Sequence, residues 1–588
     1  MELNTKWTNL FAFLLLCAMG AMMFFSLKDT ALTYDELAHI PAGYSYLKLK
    51  DYRINPEHPP LAKDLAALPL QFMDLQWPKD NPAFSDIKNN EWWIQYDTGT
   101  QFIWHSGNNP FAIILAARLP MIALTILLGL IIFIFARRYF GNKVALLSLF
   151  FYTFCPNFLA HGRLVTTDIG ATFGIVLATM LFLQMFRAPN LGSIIWAGLG
   201  LGIALCFKFS TVLLIPFLGF LAICYAWKKE KSAVSVFRYI FYCLAAGLIA
   251  VFLIIIPLYH VQSYNEPLAK LVYDANTLLE GPQMSLFRNI AIQILNIPVL
   301  RPLGIYLIGF FKAGHRTIFG NTTFFMGQIN NTAWWQYFPV VYGIKTPLAI
   351  FVFAALGLWA WVKRAGEKKL LNRLKANFEM AAIILWILIY WAISVFGNLN
   401  IGIRHLLPAI PFMMILTAQG TIYFWKHFSP QNRAGKTLAI FIFWVLIAWY
   451  AIQPLRAYPD YISYFNELVG PIENGRNFVV DSNVDWGQDF YKLNRYAQEN
   501  GIRNIKMHFL GGSDPQYFFG AGYTKIDRYS GPQKGWIAIS ATYYKNGTAT
   551  PLPEIKKYNP DDTLYYSWLR GVRPTAVIGR SIYLFKID

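Results

Sequence analysis

The sequence predicts a polytopic α-helical membrane protein, with about eleven transmembrane helices and a small C-terminal extracytoplasmic α/β domain. Of its 588 residues, 56% are hydrophobic and only 14% are charged, whereas soluble proteins carry roughly 25% charged residues. Apolar runs of about 20 residues, the length that crosses a bilayer, recur along the chain. Basic residues follow the even-numbered runs, as expected of cytoplasmic loops.

The predicted membrane helices follow the apolar runs in order. Their approximate bounds are Trp7–Phe25, Phe111–Phe135, Val144–Leu159, Ile169–Phe186, Ile194–Phe207, Thr211–Trp227, Phe237–Leu258, Ile344–Val362, Met380–Val395, Leu406–Phe424 and Leu438–Ile452. A cleaved signal peptide is the alternative for the first run. We favour a retained helix, because the run is long and no clean small-x-small site follows it. Residues 1–452 therefore form a membrane module, and residues 453–588 a separate domain.

The distribution of charge predicts the orientation of the helices. The basic residues after even-numbered helices include Arg137, Arg138, Lys143, Arg187, Lys228, Lys229, Lys426 and Lys436. The positive-inside rule places these loops and the N-terminus in the cytoplasm. The first long loop (28–110), the second (259–343) and the C-terminal domain then face outward. Most basic clusters lie in short loops of this kind, so the net charge of +19 does not predict a nucleic-acid partner.

The C-terminal domain is predicted from alternating strand and helix patterns. The sequence predicts strands at Phe478–Val480, Ile505–Leu510 and Trp536–Ser540, and a helix at Asp489–Asn500 that ends before Gly501. The five cysteines all fall in apolar segments and show no CxxC spacing, which supports neither a disulfide framework nor a zinc knuckle.

Asp35 and Glu36 lie just after the first predicted membrane exit. One interpretation is structural, because Thr33-x-x-Glu36 fits a capping box at the start of a helix. The other is chemical, since a carboxylate can act as a general base. The two are compatible, because a cap at Thr33 would hold Asp35 rigidly at a helix N-terminus.

A second group of polar residues follows at His58-Pro59-Pro60-Leu61-Ala62-Lys63. Paired prolines suit a turn into the first position of a helix. Lys63 would then project from an interfacial helix, where a cation can bind a lipid phosphate with help from the helix dipole. The alternative is a lysine that snorkels to ordinary headgroups.

Further charges lie at the outward ends of later helices. Asp168 precedes the fourth helix, and a carboxylate at a membrane boundary is a functional candidate. The alternative is a structural ion pair between Arg163 and Asp168. Arg404 and His405 open the tenth helix on the outward side, against the positive-inside trend. An anionic ligand would explain a cation there.

These residues together predict a site for glycosyl transfer from a lipid phosphate. The acceptor hydroxyl needs a general base, and the departing phosphate needs cations where negative charge develops. The predicted catalytic residues are Asp35, Glu36 and Asp168, and the predicted lipid-phosphate-binding residues are His58, Lys63, Arg163, Arg404 and His405. A divalent cation, magnesium (Mg²⁺) or manganese (Mn²⁺), is left open, because Asp35, Glu36 and His58 do not have a diagnostic spacing.

The acidic pair, the His-Pro-Pro-Leu-x-Lys motif and the boundary aspartate, in this order, resemble the GT-C glycosyltransferases. The similarity extends over residues 34–186 and is looser beyond, and its nearest branches are the protein O-mannosyltransferases and the bacterial aminoarabinose transferase. The segments Tyr464–Gly470 and Asp481–Asp489 also resemble bacterial members. The resemblance implies that Asp35 is the base, that Asp168 is the second carboxylate, and that His58 and Lys63 lie near the lipid phosphate.

The predicted function is therefore an inverting transfer of a sugar from a polyprenyl-phosphate donor to an acceptor hydroxyl on a protein, lipid or glycan. The predicted location is the cell (inner) membrane. Transporters and lipid flippases are the alternative, for which inverted repeats and midplane charges are expected. We find no repeat, and the charges cluster at one face. A non-catalytic scaffold with a partner-binding external domain is a third hypothesis.

Overall fold

The structure is a computed structural model that describes residues 4–78, 80–85, 93–428, 430, 432–553, 555 and 563–588. Residues 86–92, within the predicted first outward loop, lie outside the described residues. The described chain is mostly α-helical, and its strands are confined to the second loop and the C-terminal region.

The helices of the first half are α1 Thr5–Phe25, α2 Tyr34–Tyr44, α3 Leu61–Ala67, α4 Pro82–Ser85, α5 Ile94–Thr100, α6 Pro110–Phe140, α7 Asn142–Thr153, α8 Pro156–His161, α9 Thr167–Arg187, α10 Leu191–Phe207, α11 Leu214–Glu230, α12 Ala233–Ile249 and α13 Ile256–Gln262. The helices of the second half are α14 Leu268–Leu278, α15 Ser285–Leu295, α16 Arg301–Phe319, α17 Tyr337–Lys345, α18 Leu348–Ala376, α19 Phe378–Phe396, α20 Ile410–Phe428, α21 Arg433–Ala457, α22 Phe490–Glu499, α23 Pro515–Phe519 and α24 Ala541–Thr548.

Seven helical segments of the described chain are long and apolar enough to cross a membrane. They are α1, α6, α9, Phe209–Glu230 with α11, Ala233–Gln262 with α12 and α13, α19, and α21. The pair α17 and α18, bent by 107°, forms an eighth if it is one broken span. Large apolar side chains on α12 and α21, such as Phe237 and Phe441, are exposed, as expected of surfaces that face lipid. The chain is thus a multi-pass membrane protein.

Each of the eleven predicted membrane helices has a helical counterpart, although three of them fall short of a regular span. The third is divided into α7 and α8, because Pro156 at the first turn of α8 cannot continue the hydrogen-bond ladder of α7. The fifth, α10, has only 17 residues, and the tenth begins as α20 at Ile410 rather than at Leu406. The count of eleven spans stays a prediction.

Small residues let α9 and α10 approach closely. A Cβ atom added to Gly174 would lie 2.5 Å from Ala204 Cα, and one added to Gly170 would lie 2.1 Å from Phe207 Cδ1. Small residues at helix interfaces are the usual means of close packing in membranes. This contact fixes the N-terminus of α9, which carries Asp168, beside the C-terminus of α10, which precedes Lys208.

The C-terminal region contains a five-stranded mixed sheet. Its strands are β3 Ile505–His508, β4 Tyr523–Lys525, β5 Gly535–Ser540, β7 Ala576–Ile578 and β8 Ile582–Ile587, in the order β4-β3-β5-β8-β7. A second, three-stranded sheet contains β1 Thr323–Phe325, β2 Gln328–Asn330 and β6 Thr550–Pro551, in the order β1-β2-β6. Helix α22 packs on one face of the larger sheet through Phe490 and Leu493. The second loop of the membrane module is therefore paired with the C-terminal region.

The α/β character predicted for residues 453–588 is confirmed, with one correction and four additional strands. The predicted strand at Phe478–Val480 is wrong, because the structure has only an isolated bridge between Val479 and Phe325 there. Strands β4, β6, β7 and β8 were not predicted. The boundary at residue 452 stays a prediction, and residues such as Tyr461, Phe465 and Trp486 pack in the same apolar core as the membrane helices.

Candidate active site

A cavity of about 600 Å³ lies where the first loop, the link between α10 and α11, α16, the residues before α20 and the C-terminal region meet. One part of its wall is apolar and includes Phe209, Val212, Leu213, Phe310, Ala313, Ile393 and Leu399. The other part is polar and includes Tyr34, Asp35, His39, Glu57, His58, Gln95, Tyr96, Lys208, Arg404, His405, Asp481 and Thr542. Ionisable groups and apolar surface thus line one space.

Helix α2 places Asp35 at the cavity. The helix begins after Thr33, and the Glu36 carboxylate accepts hydrogen bonds of 2.9 Å from both the Thr33 backbone N–H and the Thr33 hydroxyl. The predicted capping box is therefore present. It holds Asp35 in the first turn, where the helix dipole favours a negative charge.

Glu36 does not line the cavity. Its carboxylate is fully buried and pairs with Arg118, whose Nε and Nη2 donate to it at 2.8 and 2.6 Å. The backbone N–H of Val165 donates a third hydrogen bond at 3.0 Å. Burial alone raises the pKa of Glu36, but Arg118 and these hydrogen bonds hold the pKa below its usual range. Since this carboxylate is fully buried and its oxygens are used by protein donors, the structure does not support the predicted catalytic role of Glu36.

We expect Glu36→Gln to lower stability more than chemistry. Breaking a buried ion pair leaves the Arg118 charge uncompensated and costs about 3–5 kcal/mol. The measurement is the thermal unfolding midpoint in detergent, together with the transfer rate of the folded fraction. The matched control is Glu230→Gln, which breaks an exposed 3.3 Å pair with Arg238 and should cost about 0–1 kcal/mol. Equal midpoints for the two variants would contradict the structural role.

Arg404 joins the two candidate carboxylates, of which Asp35 lines the cavity and Asp168 lies behind Arg404 and Lys208. Its Nη1 lies 2.7 Å from Asp35 Oδ2 and 3.6 Å from Asp168 Oδ2. Burial alone raises the pKa of Asp35, and the charge of Arg404 more than offsets this effect, so the pKa lies below its usual range. Asp35 is therefore ionised at neutral pH. Within the described chain, Arg404 Nε has no hydrogen-bond partner.

Lys208 extends this group of charges and was not among the predicted site residues. Its Nζ lies 2.5 Å from Asp168 Oδ1, and the residue lines the cavity. The contacts thus join four residues of alternating charge, which we call the charged cluster: Asp35, Arg404, Asp168 and Lys208. A signal was available in the sequence, because Lys208 interrupts two apolar runs on the predicted outward side, as Arg404 does.

His58 lies at the cavity, whereas Lys63 lies behind it. The Lys63 side chain is fully buried, and its Nζ donates at 2.8 to 2.9 Å to Tyr46 Oη, to two oxygens of Asn55 and to the His58 carbonyl. All three ammonium protons are committed, so the structure does not bring Lys63 to a lipid phosphate. Lys63 instead fixes the loop that carries His58. The rings of His58 and His39 pack edge to face, with their centroids 5.6 Å apart.

His405 lines the cavity, but Arg163 does not. The Arg163 guanidinium is 1% exposed and donates to the carbonyls of Ser26 at 2.6 Å and Pro459 at 3.1 Å. It therefore joins the end of α1 to the segment after α21 instead of contacting a phosphate. The alternative ion pair between Arg163 and Asp168 is also absent from the ion pairs of the described residues, since Asp168 contacts Lys208 and Arg404.

The residues at the cavity do not fit a divalent cation. No cluster of three His, Cys, Asp or Glu side chains suited to a metal occurs in the described ranges. Asp35 and Asp168 already contact Arg404, and the Glu36 oxygens are used by Arg118, Thr33 and Val165. A hard cation needs several free oxygen ligands, whereas these carboxylate oxygens already contact protein donors. No step is therefore assigned to a metal.

Comparison with known families gives a match over part of the chain. The family model for dolichyl-phosphate-mannose-protein mannosyltransferases matches residues 111–259, which include Asp168 and Lys208 but neither Asp35 nor Arg404. This match supports the resemblance to the protein O-mannosyltransferases predicted from the sequence. No curated protein matches the chain.

Three solved structures are similar to the chain at low identity. The Saccharomyces cerevisiae protein O-mannosyltransferase Pmt1–Pmt2 complex bound to the sugar donor is 19% identical over 44% of this chain and 34% of that chain, with a TM-score of 0.33. The Archaeoglobus fulgidus oligosaccharyltransferase tethered with an acceptor peptide is 11% identical over 94% and 72%, with a TM-score of 0.47. ArnT from Cupriavidus metallidurans bound to undecaprenyl phosphate is 13% identical over 99% and 98%, with a TM-score of 0.34. The chain thus spans about a third of the mannosyltransferase chain that it matches.

Proposed function

We propose that the chain is an inverting glycosyltransferase that moves a sugar from a polyprenyl-phosphate donor to an acceptor hydroxyl. The observation that carries this proposal is the charged cluster, which lies at a cavity with an apolar wall on one side and polar side chains on the other. Such a cavity suits a donor that is apolar at one end and a sugar at the other, with a phosphate between.

The donor phosphate is assigned to Arg404 and Lys208, with His58 and His405 beside them. A guanidinium and an ammonium in a partly buried site stabilise the negative charge that the phosphate gains as it departs. The unpartnered Nε of Arg404 supplies a donor that is not used inside the protein. The polyprenyl chain would lie along the apolar wall, which includes Phe209 and Phe310.

Asp35 is assigned the role of general base. The acceptor oxygen attacks the anomeric carbon from the face opposite the phosphate, Asp35 takes the hydroxyl proton, and the bond from that carbon to the phosphate oxygen breaks. A carboxylate paired with an arginine is a weak base. Once the donor phosphate contacts Arg404, the guanidinium shares its charge with the phosphate, and the basicity of Asp35 rises. Asp168 is assigned the role of the second carboxylate, which holds the side chains of Arg404 and Lys208 in position.

We further propose that the cavity opens on the extracytoplasmic side of the cell (inner) membrane, with the N-terminus in the cytoplasm. The basic loops after even-numbered helices support this orientation. The acceptor, a protein, lipid or glycan, would approach past the polar wall, where the rings of Tyr34 and Tyr96 are in contact, with their centroids 4.4 Å apart.

Transport is not favoured. Asp35 and Lys208, which line the cavity, form ion pairs with Arg404 and Asp168, and the family match supports a transferase. The test uses the full chain in lipid nanodiscs with a set of polyprenyl-phosphate sugars and an extract of envelope proteins, lipids and glycans as the source of acceptor, and measures release of polyprenyl phosphate by mass spectrometry. Release that depends on the protein is expected with at least one donor. Movement of donor across proteoliposomes without release would favour a flippase and contradict the proposal.

A further inference from the structure

We propose that the segment Asp481–Trp486, from the predicted external domain, is a positioning element that holds Arg404 between Asp35 and Asp168. This inference rests on the proposed function, because it explains how the phosphate-binding cation is kept in place. We call this segment the clamp. It follows α21 by more than twenty residues in the sequence, yet it touches the two loops that carry Arg404 and Asp35.

The clamp fixes the backbone just before Arg404. Asn483 Oδ1 accepts from the Ile403 N–H at 3.0 Å, and Ser482 Oγ donates to the Ile401 carbonyl at 2.6 Å. Between them, Gly402 has a φ of 110°, which residues with a Cβ rarely adopt. A Cβ added there would lie 2.5 Å from Ser482 Oγ. The backbone therefore reaches Arg404 by a turn that fits closely against the clamp.

Trp486 fixes the side chain of Arg404. The guanidinium carbon lies 4.2 Å from the centroid of the Trp486 ring, in the geometry of a cation–π contact. The Trp486 side chain is buried, so the ring is a rigid support. A planar guanidinium on this support presents Nη1 to Asp35 and Asp168, whereas a flexible side chain would not be confined to that direction.

The same residue also contacts the start of α2. The Trp486 carbonyl accepts from the Tyr34 N–H at 3.0 Å, directly before Asp35, and the Gln488 carbonyl accepts from the Ala31 N–H at 2.9 Å. The clamp therefore sets the distance between the base and the cation, because one short stretch of backbone binds both. Neither loop contacts the other through backbone hydrogen bonds in the described chain.

The clamp is itself held from two sides. Lys345 Nζ donates at 2.6 Å to the carbonyls of Asn483 and Ile462, and Lys345 is 1% exposed. The Thr542 N–H, at the start of α24, donates to Asp485 Oδ2 at 2.9 Å. The membrane module and the C-terminal sheet thus anchor the clamp together, which gives this region a role at the active site.

The test compares Trp486→Leu and Trp486→Phe in the full chain, with lipid-facing Trp444→Leu as the matched control, since Trp444 is 61% exposed. The first readout is the equilibrium affinity for a polyprenyl phosphate, which does not require turnover. Loss of the aromatic face should weaken binding by about tenfold in the leucine variant, with most of the affinity kept in the phenylalanine variant. The control should bind as the wild type does.

The second readout is the acid limb of the pH profile of kcat/KM. The groups that face Asp35 are Arg404, His39 and Asp168. Arg404 keeps the pKa of Asp35 low, so a displaced Arg404 should move the acid limb to higher pH in Trp486→Leu and leave it near the wild-type position in Trp486→Phe. If the leucine variant does not fold, Ser482→Ala removes one bond to the loop and should give a smaller shift in the same direction.

An unshifted acid limb with wild-type affinity in folded Trp486→Leu and Ser482→Ala would overturn the positioning role. Lower activity with an unshifted limb would also overturn it, because a merely structural defect reduces activity at all pH values. If the wild type binds polyprenyl phosphate but transfers no sugar, the proposed function fails, and the affinity comparison still decides the role of the clamp. If the wild type does not bind it, both proposals fail.

Discussion

Asp35→Asn is expected to lower the rate of sugar transfer by about 10²–10⁴, the range that a general base contributes. Asparagine is nearly the same size as aspartate and can still accept a hydrogen bond from Arg404 Nη1, which lies 2.7 Å from Asp35 Oδ2. It cannot take a proton from a hydroxyl. Donor binding should be retained, because the phosphate is assigned to Arg404 and Lys208. Removal of the nearby negative charge of Asp35 does not weaken the binding of an anionic phosphate.

The measurement is single-turnover transfer with enzyme in excess over donor, combined with the equilibrium affinity for the donor. Asp74→Asn is the matched control, because it makes the same change at an exposed position of the same loop, away from the cavity. The control should transfer at the wild-type rate. Near-normal turnover in Asp35→Asn would remove Asp35 from the role of base.

Arg404→Lys has the second-largest expected effect, with a rate about 10²-fold lower, as for loss of one group that stabilises developing charge. Lysine keeps the positive charge, but a single ammonium cannot contact Asp35 and Asp168 and also stack on Trp486 as a planar guanidinium does. The acid limb of kcat/KM should move to higher pH, because a less well-placed cation lowers the pKa of Asp35 by a smaller amount.

The control for this change is Arg456→Lys, on the final turn of α21, where the side chain is 63% exposed and lies 3.5 Å from Glu467. Exposed pairs contribute little, so its rate and pH profile should match the wild type. The measurement is the pH dependence of kcat/KM and of the donor affinity. An unchanged donor affinity and rate in Arg404→Lys would show that the guanidinium geometry is not required.

The membrane helices were predictable because hydropathy depends on composition alone. Each predicted run has a helical counterpart, since a backbone in lipid must satisfy its hydrogen bonds internally. The break in the third helix was harder to predict, because proline at the first turn of α8 and proline inside a helix look alike in the sequence. Proline occurs inside α6 at Pro120 without dividing that helix.

The candidate site was only partly predictable. Asp35, Asp168, Arg404, His58 and His405 are brought to the cavity or to the charges beside it, and topology alone suggested that they share one side. The sequence does not show which way a side chain points. Three other predicted residues, Glu36, Lys63 and Arg163, have the right chemistry but are buried with protein partners.

Lys208 and Trp486 were not predicted from the sequence, because their roles depend on tertiary contacts. Asp168 holds Lys208 in place, and that ion pair depends on the close approach of α9 and α10 at Gly174. Trp486 acts through Arg404, which is 82 positions earlier in the numbering and reached by backbone contacts of the clamp. Neither pairing follows from local spacing. A cation on the predicted outward side, against the charge trend, was the usable signal, and it marks both Lys208 and Arg404.

The most direct test of the central claim is the anomeric configuration of the product, determined by NMR with a polyprenyl-phosphate donor of known configuration. One base at Asp35 and a departing phosphate held by Arg404 and Lys208 on the opposite face require a single displacement. The account therefore predicts inversion at the anomeric carbon. A product that retains the donor configuration would contradict it, because retention needs a second displacement through a covalent intermediate.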